Sequence, residues 1–345
     1  MLNKKCFVLD LDGTVYLGDI PIQETVDFIL RHWDTIDFHF LSNNTSKAPT
    51  TYVNKLTRMG IPATLDRILS PVTPLIAHLR GNGIRTVYPV GNRDFVACLR
   101  ERMPELNVLD YGVSEGAEAV VLAYDTELTY EKLTHAALLL QNPEVAYLAT
   151  HPDLVCPSPQ GPLPDAGSFM SLFETATGRR PQHIFGKPDP AVLGTLLQSY
   201  DKKDMVMVGD RLSTDKKLAE NAGIDFILVL SGEAKLSDLP GLERQPTLVV
   251  DNLGQVLYRT GNVEEAEKMF EKALTIRPTQ FDTLTYLARI RVDQGRVEEA
   301  KTMLDTALNK TYTVFNTVPR ERAIELARQI GMDLSEYDDI PAQEA

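Results

Sequence analysis

The sequence predicts an α/β protein: a doubly wound, mostly parallel sheet with a second α/β unit inserted into it, followed by a short α-helical array. Three observations carry that expectation. Apolar runs such as Cys6–Leu9 and Met205–Val208 end abruptly in Asp or Gly-Asp, and unbroken apolar runs mark strands buried on both faces, as in parallel sheets. Such runs alternate with helix-period segments, the pattern of βαβ crossovers. The last quarter of the chain repeats itself at a fixed offset.

At 345 residues the chain is too long for one ordinary domain, and 43% hydrophobic with 24% charged positions is ordinary for a globular protein of two or three. A net charge of -13 weighs against nucleic acid or an anionic membrane as partner, since both need clustered Lys and Arg. The same charge would repel an anionic substrate unless a metal and local cations corrected it. Cys6, Cys98 and Cys156 are odd in number and lack metal-ligand spacing, so they read as reduced thiols. The apolar run after Lys4 and Lys5 stops at Asp10, too early for a signal peptide or a spanning helix, so a cytoplasmic protein is expected.

The first strand delivers Asp10-Leu11-Asp12-Gly13-Thr14 to the sheet's carboxyl edge, where open α/β sheets bind ligands. Two apart on a strand, Asp10 and Asp12 share a face, and like charges that close call for a cation or a shared proton. Val15-Tyr16-Leu17 and Ile20 around Gly18-Asp19 suggest a small hairpin, and Ile22, Val26, Ile29 and Trp33 a helix packed on the sheet. Phe38–Leu41 is a second strand ending in Ser42-Asn43-Asn44-Thr45, with Pro49 opening a helix at a position where its missing N–H costs nothing. That helix N-terminus could receive a phosphate.

From about 83 to 181, strand-like Thr86–Val90, Ala119–Ala123 and Tyr147–Thr150 alternate with helical stretches such as Leu128–Leu140. The loop His151–Ser168, with prolines at 152, 157, 159, 162 and 164, is stiffened, and its length makes it either a functional lid or a disordered connector. Gly186-Lys187-Pro188-Asp189-Pro190 then leads into a helix with Asp189 as N-cap. Met205–Val208 ends in Gly209-Asp210 and reaches Asp215, Phe226–Leu230 is a further strand, and a strand and helix near 246–260 close the sheet.

In chain order, Asp10, Asp12, Ser42, Lys187, Asp210 and Asp215 stand at strand ends or at loops opening helices. This set resembles the haloacid dehalogenase-like phosphatases: Asp-x-Asp-Gly-Thr, a Ser ending the second strand, a Lys after an insertion, and Gly-Asp-x-x-x-x-Asp. The resemblance implies a core over 1–82 and 182–255 with a cap over 83–181 that sets substrate specificity. It makes Asp10 the nucleophile that becomes an aspartyl-phosphate, and Asp12 the general acid and then base. Asp10, the Asp12 carbonyl and Asp210 would hold Mg²⁺; Ser42, Asn43 and Lys187 would take the phosphoryl group. Asp215 would orient Lys187 or a metal-bound water, or merely cap its helix.

The insertion, Ser-Asn-Asn-Thr and Asp-Ala-Gly-Ser look like the large-cap NagD and nitrophenylphosphatase group, which hydrolyses small phosphate monoesters. Asp153, Cys156, Asp165, Gly167 and Ser168 are therefore expected to form the cap's substrate loop. Two departures bear on the leaving group: His151 stands where that group often has Asn, and Asp165 puts an acid in a loop expected to face an anion.

Gly261-Asn262-Val263-Glu264-Glu265-Ala266 returns as Gly295-Arg296-Val297-Glu298-Glu299-Ala300, an offset of 34, the tetratricopeptide period. Two such repeats and a capping helix from Arg320 to Ile330 are expected over 247–331, with Arg291 where an aromatic is usual, and a C-terminal tail over 332–345. An array this short needs its ends covered. One helix, about Asp251–Arg259, is expected to serve both core and array, so that a cut after about 261 would spare the core. The array's concave face would remain for another protein or a second copy. The function expected is that of a Mg²⁺-dependent phosphatase of a small phosphorylated metabolite; the rivals are a phosphotransferase using the same intermediate and a repeat scaffold with a vestigial hydrolase core.

Overall fold

Strand pairing follows the apolar runs. The computed structural model describes residues 3–158, 160–309, 318–334 and 337; Pro159 and most of the tail expected over 332–345 lie outside the described residues. The chain forms two compact units, one of Met1–Phe38, Lys203–Leu212 and Asp225–Ala345, the other of His39–Lys202 and Ser213–Ile224.

In the first unit four parallel strands lie in the order Leu248–Val250, Asp225–Val229, Met205–Gly209, Cys6–Asp10. The register runs from Cys6 opposite Met205 to Leu9 opposite Val208, so Asp10 and Asp210 emerge at one carboxyl edge. Cys6–Leu9 and Met205–Val208 are fully buried on both faces, which is why these runs show no alternation. Helix Gln23–His32 covers one face, where the rings of Phe7, Phe28 and Phe38 meet with centroids 5.7–6.4 Å apart. Burial of each such side chain is worth about 1.5–3 kcal/mol. The expected hairpin forms as Tyr16–Leu17 against Ile20–Pro21.

The helical array follows in the same unit. Leu253–Gln255 is a 3₁₀ turn running into the single-turn helix Val256–Arg259, and Val263–Ile276, Phe281–Asp293, Val297–Asn309 and Arg320–Gln329 are the helices beyond. The join to the core reaches further than one shared helix. Leu253 N donates to Thr25 Oγ1 at 3.2 Å, Arg31 pairs with Glu265 at 2.9 Å, and Gln280 Nε2 and Thr283 Oγ1 both donate to Glu24 Oε1 at 2.8 Å. Gly254 permits the approach, since a Cβ there would lie 2.5 Å from Glu24 Cβ. Buried Glu24 has its carboxyl pushed up to about 8, first by desolvation and then by the Asp282 carboxylate, against the pull of Thr283.

Arg291 shows how the array absorbs its departure from the repeat pattern. Its side chain is 2% exposed and meets Glu267, Glu271 at 2.5 Å and Glu299 at 3.4 Å. A guanidinium takes the aromatic's place because carboxylates from the flanking helices surround it.

In the second unit Phe40 and Leu41 pair in parallel with Ile68 and Leu69, and Pro49 opens the helix Pro49–Arg58. A second parallel sheet has the order His183–Ile184, Ala146–Ala149, Ala119–Leu122, Thr86–Val90, Asn107–Val108. Side chains alternate between two cores: Val87, Val121 and Leu148 join Phe95 and Phe185 on one face, while Tyr88, Val120 and Tyr147 join Phe173 on the other. Part of the stretch expected as a loop over His151–Ser168 is regular structure. Val155–Cys156 pairs antiparallel with Leu163–Pro164, and the helix Ala166–Thr177 has already begun before Ser168. Among the described residues no helix is long and apolar enough to cross a membrane.

Candidate active site

The first unit supplies the aspartates. Asp10 is the last residue of its strand and is 8% exposed; Asp12 follows in a tight loop where Gly13 N donates to Tyr16 O and Val15 N to Leu11 O. Asp210, 3% exposed, stands one residue beyond the neighbouring strand. Carboxylate oxygens of Asp10 and Asp210 lie within 4.8 Å of each other.

Gly13 adopts φ +86°, and a Cβ there would fall 2.4 Å from Asp210 Oδ2, so both conformation and space demand glycine. The loop after the next strand closes over the same carboxylate: Glu233 N donates to Asp210 Oδ2 at 2.7 Å, and a Cβ on Gly232 would lie 1.9 Å from that oxygen. Ser231 Oγ donates to Gly13 O at 2.6 Å and ties the two loops together. Sequence reasoning missed Ser231, Gly232 and Glu233. The available signal was a Ser-Gly pair directly after an apolar strand of the same sheet.

Oxygen donors with no sulfur or imidazole among them suit a hard divalent cation, and two buried carboxylates this close gain from one. The residues present therefore fit a bound divalent metal. His151, Asp153 and Asp165 also lie within 4.8 Å of one another, but both ring nitrogens of His151 are engaged. Nδ1 meets Thr150 Oγ1 and Nε2 meets Asp165 Oδ1, each at 2.9 Å.

The second unit brings together Ser42, Asn43, Lys187 and Asp215. Ser42 follows its strand, half-buried, with Asn44 N donating to its Oγ at 3.2 Å. Lys187, 3% exposed, places Nζ 2.6 Å from Oδ1 of the fully buried Asp215. The side chain of Asn43 meets both sides of the Lys187 peptide: Oδ1 accepts from Lys187 N at 2.8 Å and Nδ2 donates to Lys187 O at 3.1 Å. Gly186 makes room, as a Cβ there would sit 2.6 Å from Asn43 Oδ1.

The loop residues divide. Asp153 accepts from Asn43 Nδ2 at 3.2 Å, and Cys156, half-buried, lies in the hairpin. Asp165 does not face outward toward an anion as expected: 3% exposed, it bonds His151 and caps its helix through Ala166 N at 2.6 Å. Gly167 and Ser168 likewise fold the loop onto its own base. Gly167 N donates to Asp153 O at 2.8 Å and Ser168 Oγ to Leu154 O at 2.6 Å, and a Cβ on Gly167 would meet Pro152 O at 2.3 Å. The unusual His151 is thus the partner of the unusual Asp165, a pairing visible only once the loop closes.

Comparison with known proteins agrees with this architecture. The profile for haloacid dehalogenase-like hydrolases matches residues 7–103, a second profile of HAD-hydrolase-like proteins matches 184–256, and the tetratricopeptide profile matches 253–313. The chain is 30% identical over 257 residues to the 5′-nucleotidase YutF of Bacillus subtilis, covering 73% of this chain and 97% of that protein. It is 31% identical over 278 residues to an acid sugar phosphatase of Staphylococcus haemolyticus, covering 79% of this chain and 100% of the relative. Among solved structures, the 4-nitrophenylphosphatase of Thermotoga maritima superposes with a TM-score of 0.69 at 38% identity, over 74% of this chain and 97% of that one.

Proposed function

The chain belongs to the haloacid dehalogenase-like hydrolases and is a phosphatase, and we propose that it hydrolyses a small phosphate monoester through an aspartyl-phosphate on Asp10, with Mg²⁺ as cofactor. The observation that carries the reading is the pair of buried carboxylates, Asp10 and Asp210, at one strand edge with Gly13 and Gly232 clearing space around Asp210. Names of relatives point to nucleoside monophosphates and sugar phosphates as the substrate class.

In this reading an Asp10 oxygen forms a bond to phosphorus while the bond to the leaving oxygen breaks, and Asp12 gives that oxygen its proton. Asp12, now a carboxylate, takes a proton from water. The water oxygen attacks phosphorus, the Asp10 oxygen leaves, and inorganic phosphate and the original aspartates are restored. Ser42 and the backbone around Asn43 take phosphoryl oxygens, and Lys187, held by Asp215, neutralises their charge. Asp10, the Asp12 carbonyl and Asp210 would hold Mg²⁺, which when bound offsets charge on the phosphoryl oxygens.

The hairpin of residues 155–164 and Cys156 would select the leaving group, while Asp165, Gly167 and Ser168 hold that hairpin's base. The helical array would serve a protein partner or a second copy of the chain. Cysteines free of disulfides fit a reducing compartment, and we place the enzyme in the cytoplasm. The test is a phosphate-release screen of phosphometabolites and an aryl phosphate, with and without Mg²⁺, beside Asp10→Asn. Mg²⁺-dependent release that vanishes in Asp10→Asn is expected; activity kept by that variant overturns the nucleophile assignment.

A further inference from the structure

The side chain of Asn43 joins three segments far apart in sequence. Its Oδ1 and Nδ2 bracket the Lys187 peptide, and the same Nδ2 donates to Asp153 Oδ2 at 3.2 Å across 110 residues of chain. An amide bracketing a peptide in this way works in one orientation only. Flipped, it would set NH₂ against the Lys187 N–H and oxygen against the Lys187 carbonyl. A carboxylate accepts hydrogen bonds and cannot donate them, so Asp153 adds a charge-assisted bond that is satisfied in the same single orientation.

Asp153 is itself held by backbone. Gly167 N donates to Asp153 O at 2.8 Å, and Asp165 N to Leu154 O at 3.0 Å. Both donors lie at the start of the helix Ala166–Thr177, whose approach to the Asp153 carbonyl requires the missing Cβ of Gly167. The His151–Asp165 bond, buried at 0% and 3% exposure, clasps the two ends of the loop behind it. The carboxylate therefore sits on a fixed platform, and the segment it steadies is the one bearing Lys187.

We propose that Asp153 is a positioning residue for Lys187: through the Asn43 amide it fixes the Lys187 backbone, and so the line along which Nζ reaches Asp215 and the phosphoryl group. This rests on the phosphatase reading above and gives Asp153 a different task from the leaving-group selection expected of its loop. A residue that sets the aim of Lys187 affects the phosphoryl step shared by every substrate. A residue that touches the leaving group affects substrates unequally.

The test measures kcat and KM of Asp153→Ala, Asp153→Asn, Asn43→Ala and the Asn43→Ala/Asp153→Ala double variant on an aryl phosphate, a nucleoside monophosphate and a sugar phosphate. Asp10→Asn and Lys187→Ala serve as references, and thermal midpoints report folding. Asp153→Ala should lower kcat roughly 10- to 100-fold on all substrates alike, the scale seen when a group orienting a functional residue is removed. Asp153→Asn keeps an acceptor for Asn43 Nδ2 and should recover most of that loss. The double variant should be no slower than Asn43→Ala alone, since both changes break one chain of contacts. Unchanged kcat in Asp153→Ala, losses confined to some substrates, no recovery with Asn, or additive losses would each overturn the proposal. Activity retained in Asp10→Asn would instead overturn the mechanism beneath it.

Discussion

Two groups of buried acids in the same compact unit meet burial in opposite ways. At the strand edge, Asp10 and Asp210 hold their carboxylates within 4.8 Å, on loops whose glycines leave no room for a Cβ beside Asp210. At the join of sheet and array, Glu24 receives hydroxyl and amide donors from Thr283 and Gln280 and is protonated at neutral pH, while Asp251 is met by Tyr286 and Arg322. The first arrangement gathers negative charge and suits a cation. The second disperses it with a proton, hydroxyls and a guanidinium. How a buried carboxylate is neutralised thus separates the strand edge from the join.

The contrast breaks most sharply at Asp210. Asp210→Asn should cut turnover on the order of 10²- to 10³-fold and raise the Mg²⁺ concentration needed for half-maximal rate, with little change in thermal midpoint. A large fall in midpoint with a modest loss of rate would make Asp210 a fastener like Glu24. Removing the chain after residue 261 probes the other side. The cut deletes Glu265, Gln280 and Thr283, all bonded to helix Gln23–His32, so the remaining core should melt measurably lower while keeping its specific activity. An unchanged midpoint would show that the 3₁₀ turn and helix over 253–259 suffice for the join.

Smaller effects sharpen the distinction. Glu24→Ala orphans donors from Thr283 and Gln280 and should cost about 1–3 kcal/mol for each left buried, read by denaturant titration with kcat unaltered. The same carboxyl also carries a pH term. The Glu24 carboxyl is raised from 4.5 to about 8 on folding, so between those values the folded chain keeps a proton that the unfolded chain has lost. Stability should therefore fall as pH rises across that window, and Glu24→Gln should flatten the slope. A slope that survives the substitution would show that other groups carry it, and burial also raises the carboxyls of Asp27 and Asp251.

The sequence declared the strand-edge site and suggested one helix of the join, but it concealed the other buried charges for physical reasons. Asp10, Asp12 and Asp210 follow apolar runs within a residue or two, so strand periodicity alone brings them to one edge. Glu24, Asp282 and Arg291 sit on helices where a charged residue ordinarily faces water, and their burial at 2% exposure depends on partners up to 259 residues away. The burial of Asp165 was hidden for the same reason. Its partner His151 and its role as a helix cap come from the loop's closure, which residue types alone do not encode.

The pairing of Cys6–Leu9 with Met205–Val208 also sets a timetable. A nascent chain makes Asp10 early, but the strand beside it and Asp210 leave the ribosome after nearly 200 further residues, roughly 10–40 s at ordinary elongation rates. Helix Gln23–His32 waits longer still for Leu253, Gln280 and Thr283. Residues 39–202 can settle in the interval, while the edge of the first strand that receives Met205–Val208 stays open. A product terminated before Asp210 would carry Asp10 without the carboxylate that lies beside it.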